Sequence, residues 1–340
     1  MLKMLDKLEE ICKLNGGSGD EARVRDFIAA NIHADEVITD NLGNLLVFKK
    51  GKKTPKNKIM FAAHMDEVSF IVTHIGDDGF LSFDAVGGVN PGVVLGKALR
   101  LERGALGVVG VKAIHQQSAE ELKKIPDFSE MYLDIGASSC EEAEKVVSLG
   151  DRAYFDTDYF GFGNGFVKGK AIDDRAGCLI MMEMINGEPE YDAWYVFTVQ
   201  EEIGTRGAKA AAFTIAPDIA IVLETTTACD IAGVSGSKKV CELGSGAVVS
   251  YMDRSTIYDR GLYALAVETA QKCGIPAQTK TLIAGGNDSG AIHVSRGGVR
   301  TCAISVPCRY LHSPSCVIKE SDFYAVSALA EKMLSAVAEL

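Results

Sequence analysis

Positive charge is in deficit along this chain: 35 lysines and arginines stand against 46 acids, a formal net charge of −11. A surface of that sign repels a polyphosphate backbone, which excludes nucleic acid as the expected partner. No apolar run reaches the length of a membrane span, so no membrane role is expected. Among the nine cysteines there is no C-x-x-C pair, and the number is odd. Met1–Glu10 reads as an amphipathic helix and not as a secretory signal, so reduced thiols and a cytoplasmic location are expected. There are only 8 prolines, no internal repeat and no low-complexity linker, which leaves one large or two ordinary domains for 340 residues.

Apolar residues, by contrast, make up 47% of the chain, with a mean hydropathy of +0.10 and 35 glycines. That balance supplies a sizeable core and many tight turns, as in an α/β enzyme. Helical periodicity covers 1–14 and 20–34, broken by Gly16-Gly17-Ser18-Gly19. Strands are expected at Val37–Thr39, Asn44–Lys49 and Ile59–Ala63. From about 70 to 163 the texture changes to short β-rich runs (80–83, 93–101, 108–111) between glycine turns, with one polar helical pattern over 116–130. This predicts a small β-domain inserted between two parts of a larger one, 1–69 and 164–340. The α/β rhythm then returns, with helices at 175–185, 205–212, 258–273 and 321–340, and strands at 194–199, 219–223, 247–251 and 301–304.

Candidate metal ligands sit at the ends of the apolar runs: His64, Asp173, Glu202, Glu224 and His312. Two imidazoles and three carboxylates suit a pair of divalent ions such as zinc, cobalt or manganese. Each has a plainer reading. His64-Met-Asp66 can be a surface loop, although residues two apart in an extended strand share a side, and Asp66 can then fix the imidazole from behind. Asp173-Asp174 can be the N-cap of the helix that follows, or a bridging ligand with a supporting acid. Glu201-Glu202 can be a charged turn. Adjacent acids after an apolar strand repel each other unless cations hold them, however, so Glu202 is assigned to metal and Glu201 to general base and acid. His33, His74, His115 and His293 are expected to be structural or surface residues. The set points to a two-metal hydrolase.

These residues resemble a known family, the tetrahedral and glutamyl aminopeptidases of metallopeptidase family 42. The matching blocks are Ala63-His-Met-Asp-Glu-Val68, Gly87-Gly88 with Leu95-Gly96, Asp134-Ile-Gly-Ala-Ser138, Asp173-Asp-Arg175, Glu201-Glu-Ile-Gly204, Gly285-Gly-Asn-Asp288 and Ser305-Val-Pro307 with Arg309-Tyr-Leu-His-Ser313. The resemblance implies a phosphorylase/hydrolase-like mixed sheet flanked by helices, with an inserted β-barrel or PDZ-like domain that drives homo-oligomerisation, in many members to a tetrahedral dodecamer. It implies one metal on His64 and Glu224 and a second on Glu202 and His312. Asp173 would bridge them, Glu201 would be the catalytic acid/base, and Asp66 would orient His64. The Asp173–Asp174 peptide would be cis. Three positions depart from the family pattern: Glu224 stands for a commoner aspartate, Ser69 for glycine and Asn287 for threonine.

The expected activity is removal of the N-terminal residue from short peptides, with two divalent ions per chain, zinc ahead of cobalt or manganese. A related two-metal amide hydrolase, a deacylase or carboxypeptidase, stays open beside it. A glycosidase has no use for His64 and His312, and neighbouring Glu201 and Glu202 do not straddle a sugar ring. A retired scaffold would have lost a ligand or the base, and none is lost.

Overall fold

The runs 59–64 and 219–224 are continuously apolar up to a final His or Glu, the mark of strands covered on both faces. In the computed structural model, which describes residues 4–340, both lie in the middle of an eight-stranded sheet. Its order is β1 (Glu36–Thr39), β2 (Leu45–Lys49), β12 (Ala193–Thr198), β3 (Ile59–His64), β13 (Ile219–Thr227), β16 (Arg300–Cys308), β14 (Ala247–Ser250) and β15 (Ala277–Thr279). The four central strands, β12, β3, β13 and β16, run parallel. Their carboxyl ends therefore open on one edge, where α/β sheets place ligands.

Alternate side chains of these strands feed two cores. Phe61, Tyr195 and Ile221 pack with α1 (Met4–Lys13), α4 (Ile172–Asn186), α6 (Arg260–Cys273) and α8 (Glu320–Ala338). Met60, Ala62, Val196 and Val222 pack with α5 (Arg206–Ile215) and α7 (Ser289–Ile292). A short helix, α2 (Ala22–Ala30), adds Val24 and Ile28 to the first core. The fold is thus a mixed sheet between helical layers, as expected.

Six strands between Ser69 and Phe155 close a separate barrel in the order β4 (Ser69–Ile75), β5 (Leu81–Val86), β8 (Met131–Asp134), β7 (Leu106–Val111), β6 (Ala98–Leu101) and β9 (Arg152–Phe155). It has its own core, centred on Phe70, whose ring meets Phe83 and Phe155 edge-on at 5.6 and 5.1 Å. A short helix, α3 (Cys140–Ala143), plugs one side with Ala143. A three-stranded sheet of β10 (Phe160–Phe162), β11 (Phe166–Gly169) and β17 (Cys316–Lys319) completes the chain.

Several expected elements shift. The run 93–101 is a strand only from Ala98, because Pro91–Val93 makes a 3-10 turn and Gly96 takes φ 68°. The helical pattern over 116–130 yields only 3-10 turns at 114–116, 121–123 and 128–130. None of these turns fully buries a residue and only Phe128 packs on the barrel core, too little apolar surface to repay helix nucleation. Strand β13 runs past Glu224 through three threonines, whose β-branching favours extension. The N-terminal helix begins at Met4 among the described residues, and its first three expected positions lie outside them.

Candidate metal centre

His64 closes β3, Glu224 lies on the neighbouring β13, and Glu201-Glu202 follow β12, so the parallel register alone brings three candidates to one edge. Asp173 comes from the irregular start of α4, where Asp173 and Asp174 have non-helical dihedrals and a cis peptide joins them. His312 lies in the loop between β16 and β17 with φ 55°.

The five converge. His64 Nε2 lies 3.3 Å from Asp173 Oδ1 and 3.4 Å from Glu224 Oε1. His312 Nε2 lies 3.4 Å from Asp173 Oδ2 and 3.3 Å from Glu202 Oε2. Asp173 thus turns one oxygen to each imidazole–carboxylate pair. Two donor atoms about 2.1 Å from one tetrahedral ion lie roughly 3.4 Å apart, so each trio has the spacing of a ligand set. Asp173 Oδ1 is buried and has no hydrogen-bond partner, which fits an oxygen that would ligate a cation.

The charge balance says the same. Burial raises Glu202 to about 7 and Glu224 to about 8, against the pull of His312 and His64 respectively. Asp173 is the exception: burial would raise it, but the neighbouring imidazoles of His312 and His64 hold its carboxyl well below the usual range. The pocket holds more carboxylate than two imidazoles neutralise, and divalent ions would supply the difference.

Backbone carbonyls fix both rings. His64 Nδ1 donates to Asp66 O at 3.0 Å, and His312 Nδ1 to Gly88 O at 2.8 Å. A carbonyl only accepts, so each Nδ1 carries the proton and each Nε2 lone pair faces the ligand set. This revises the expected role of Asp66. Its carboxylate is 3.5 Å from the ring, whereas its oxygens accept from Ser18 Oγ (2.6 Å), Glu201 N (3.0 Å) and Glu202 N (3.1 Å). Asp66, two residues past the strand, turns its carboxylate towards the Glu201–Glu202 turn and leaves its carbonyl for the ring.

The capping reading of the aspartate pair falls on Asp174, and Asp173 is the residue left facing the imidazoles. Asp174 Oδ1 accepts from Gly177 N at 3.0 Å, a helix-capping bond, and Oδ2 from His64 N at 3.3 Å. His64, Asp174 and Glu224 also gather ligand atoms within 4.8 Å, but these backbone bonds commit Asp174 to supporting the site. Burial raises its pKa well above the ordinary value.

Glu201 faces a cavity of about 310 Å³ together with both histidines, Asp173, Glu202 and Glu224. Burial among other acids lifts its carboxyl well above the ordinary range. The cavity continues past Thr225–Thr227, Ser250 and the 284–287 loop, where Lys280 donates to Ala284 O at 2.8 Å. Lys280, Asp253 and Ser18 escaped the sequence reading, because single polar residues in loops carry no periodic signal. Asn287 lines the same wall with its amide held by Tyr258 (3.1 Å) and Ser289 N (2.9 Å). His33, His74 and His115 are exposed and His293 bonds Ser289 O, all outside the cluster.

A model of the M42 glutamyl aminopeptidase family matches residues 43–329. The chain belongs to this family. Relatives agree along its whole length. A lysyl aminopeptidase of Pyrococcus furiosus is 34% identical over 96% of this chain and 95% of its own. Aminopeptidase APDkam598 from the archaeon Desulfurococcus kamchatkensis superposes with a TM-score of 0.92 at 35% identity, covering 97% and 94% of the two chains. The TET1 peptidase of Pyrococcus horikoshii, which assembles into a tetrahedron or a large octahedral shell, gives 0.86 at 32% identity over 97% and 99%. The M42 chain is therefore an enzyme of the aminopeptidase type, a peptide hydrolase. No helix among its described residues is long and apolar enough to cross a membrane.

Proposed function

We propose that this M42 enzyme removes the N-terminal residue of short peptides with two divalent ions, zinc ahead of cobalt or manganese. One would be held by His64 and Glu224, the other by Glu202 and His312, with Asp173 shared. The observation that carries this is Asp173, whose two oxygens face two separate imidazole–carboxylate pairs. When bound, the ions would lower the pKa of a water from about 15.7 towards neutrality and polarise the scissile carbonyl.

Glu201 has no competing side-chain role and borders the cavity beside both histidines. It takes the proton of the attacking water at its carboxylate and then delivers it to the leaving amine. A carboxyl already raised by burial suits the second step, since an acid must hold a proton near neutral pH. Asp66 holds the backbone of Glu201 and Glu202 and lends its carbonyl to His64, so it acts by orientation.

We also infer that 70–163 is an inserted PDZ-like oligomerisation domain beside a catalytic domain of 1–69 and 164–340. The closed barrel with its own core supports this, as do the exposed apolar side chains Leu106, Val108, Ile114 and Ile125 on and beside β7. A dodecameric shell and a reducing cytoplasm fit the relative that forms a tetrahedron and the nine free thiols.

The test is cleavage of a panel of aminoacyl-p-nitroanilides and N-acyl amino acids after chelation and again after zinc, cobalt or manganese is restored. Metal-restored cleavage of free-amine anilides is expected. Cleavage confined to N-acyl substrates would give the site to a deacylase instead.

A further inference from the structure

The turn that presents Glu201 has an unusual support. Four consecutive N–H groups, Val199 to Glu202, are each held by a side-chain oxygen. Val199 N donates to Asn44 Oδ1 (2.9 Å), Gln200 N to Glu21 Oε1 (3.0 Å), and Glu201 N and Glu202 N to the two oxygens of Asp66 (3.0 and 3.1 Å). The acceptors come from three segments remote in sequence. Gln200 itself sits at φ 57°, a left-handed conformation disfavoured for a residue with a Cβ.

Glu21 is the member whose position calls for explanation. It stands at the N-cap of α2, where a carboxylate ordinarily serves its own helix. It makes no capping bond there. Its Oε1 instead accepts from Gly19 N (2.8 Å) and reaches 179 residues along the chain to Gln200 N. The side chain is buried and touches none of the candidate ligands. A buried carboxylate withheld from its own helix and spent on the left-handed residue before Glu201 acts on the catalytic turn.

We propose that Glu21 is a positioning residue for Glu201: by holding Gln200 in the left-handed conformation it aims the Glu201 carboxylate into the cavity. This rests on the reading of Glu201 as base. Without the bond, Gln200 relaxes towards negative φ, which swings the next side chain. A misplacement of about 1 Å at a catalytic group lowers turnover roughly 100-fold. His64, Glu224 and Asp173 stay anchored through β3, β13 and α4, His312 lies in the β16–β17 loop, and Glu202 keeps its own bond from N to Asp66 Oδ2, so metal binding is expected to persist.

The experiment compares Glu21→Ala, Glu21→Gln, Glu201→Gln and the double variant Glu21→Ala/Glu201→Gln in the metal-loaded full chain. It records kcat, KM, bound metal and thermal unfolding. Glu21→Ala is expected to lower kcat about 10–100-fold, with KM within about twofold and metal content unchanged. Glu21→Gln retains an accepting oxygen and restores kcat. The double variant should be no slower than Glu201→Gln, because removing the base leaves nothing to aim. Unchanged kcat in Glu21→Ala overturns the proposal, as does loss of metal or a multiplicative double variant. Should Glu21→Ala fail to fold, Glu21→Asp, which withdraws the oxygen by one methylene, carries the same comparison. Near-normal turnover in Glu201→Gln instead removes the base assignment, a result separate from all of these.

Discussion

At the scale of single residues, Asp173 is where the site is most exposed to change. Its two oxygens serve both candidate ion positions, so truncating it removes a ligand from each. Asp173→Ala should therefore take bound metal from about two ions per chain to below one, measured by elemental analysis after gel filtration. Glu224→Ala should spare the second position, because Glu202 and His312 remain. The candidate ligands that converge were legible in the sequence because His64, Asp173, Glu202 and Glu224 lie at or just past the ends of buried apolar runs, while His312 comes from the loop after β16. Asp66 was legible as a participant but not in its role, since spacing does not distinguish a carbonyl from a carboxylate. Ser18 and Glu21 were not legible at all. They act through contacts 48 and 179 residues away, and a glycine-rich stretch reads locally as a break.

At the scale of elements, the buried parallel strands were readable from their unbroken apolar runs, and their boundaries moved only where local chemistry extended or cut them. Helix α6 gives a clean test of such local chemistry. Asp259 caps it, accepting from Leu262 N at 2.8 Å, and Arg300 on β16 donates to both carboxylate oxygens at 2.9 and 3.2 Å. Asp259→Ala should lower stability by about 1 kcal/mol in urea unfolding followed by circular dichroism. The Arg300 contact holds the Asp259 carboxyl below its ordinary value. A depressed folded pKa means stability that is present above the unfolded pKa, near 3.9, and lost as pH falls through the lower folded value. The gap between wild type and variant should therefore close below about pH 4. The elements that sequence missed, the turns over 114–130, carry a helical polar pattern in which only Phe128 docks on the barrel core.

At the scale of the whole molecule, the sheet and the barrel have separate hydrophobic cores, and the change of texture from about 70 coincides with the first barrel strand, while β10 near 160 already pairs back with β11. Closure of the barrel was expected from the family resemblance and not from the pattern itself, since strand pairing across long intervals leaves no local trace. The proposed assembly has a direct readout. Light scattering of the purified protein should give about twelve times 36.3 kDa. Leu106→Glu with Val108→Glu, two exposed positions on β7, should lower that mass while anilide cleavage per chain persists. A monomeric wild-type mass would contradict the assembly and leave the chemistry untouched.

The barrel is also tied to the loop that supports the Glu201–Glu202 turn. Tyr154 on β9 donates to Asp20 at 2.6 Å and Arg152 donates to Ser18 O at 3.0 Å, while Ser18 donates to Asp66. For protein engineering this makes the insert a poor cassette. Exchanging it with a relative's barrel transplants half of a handshake whose other half is the loop 16–21, and a chimera that keeps its fold and its metal should still turn over slowly until that loop is exchanged as well.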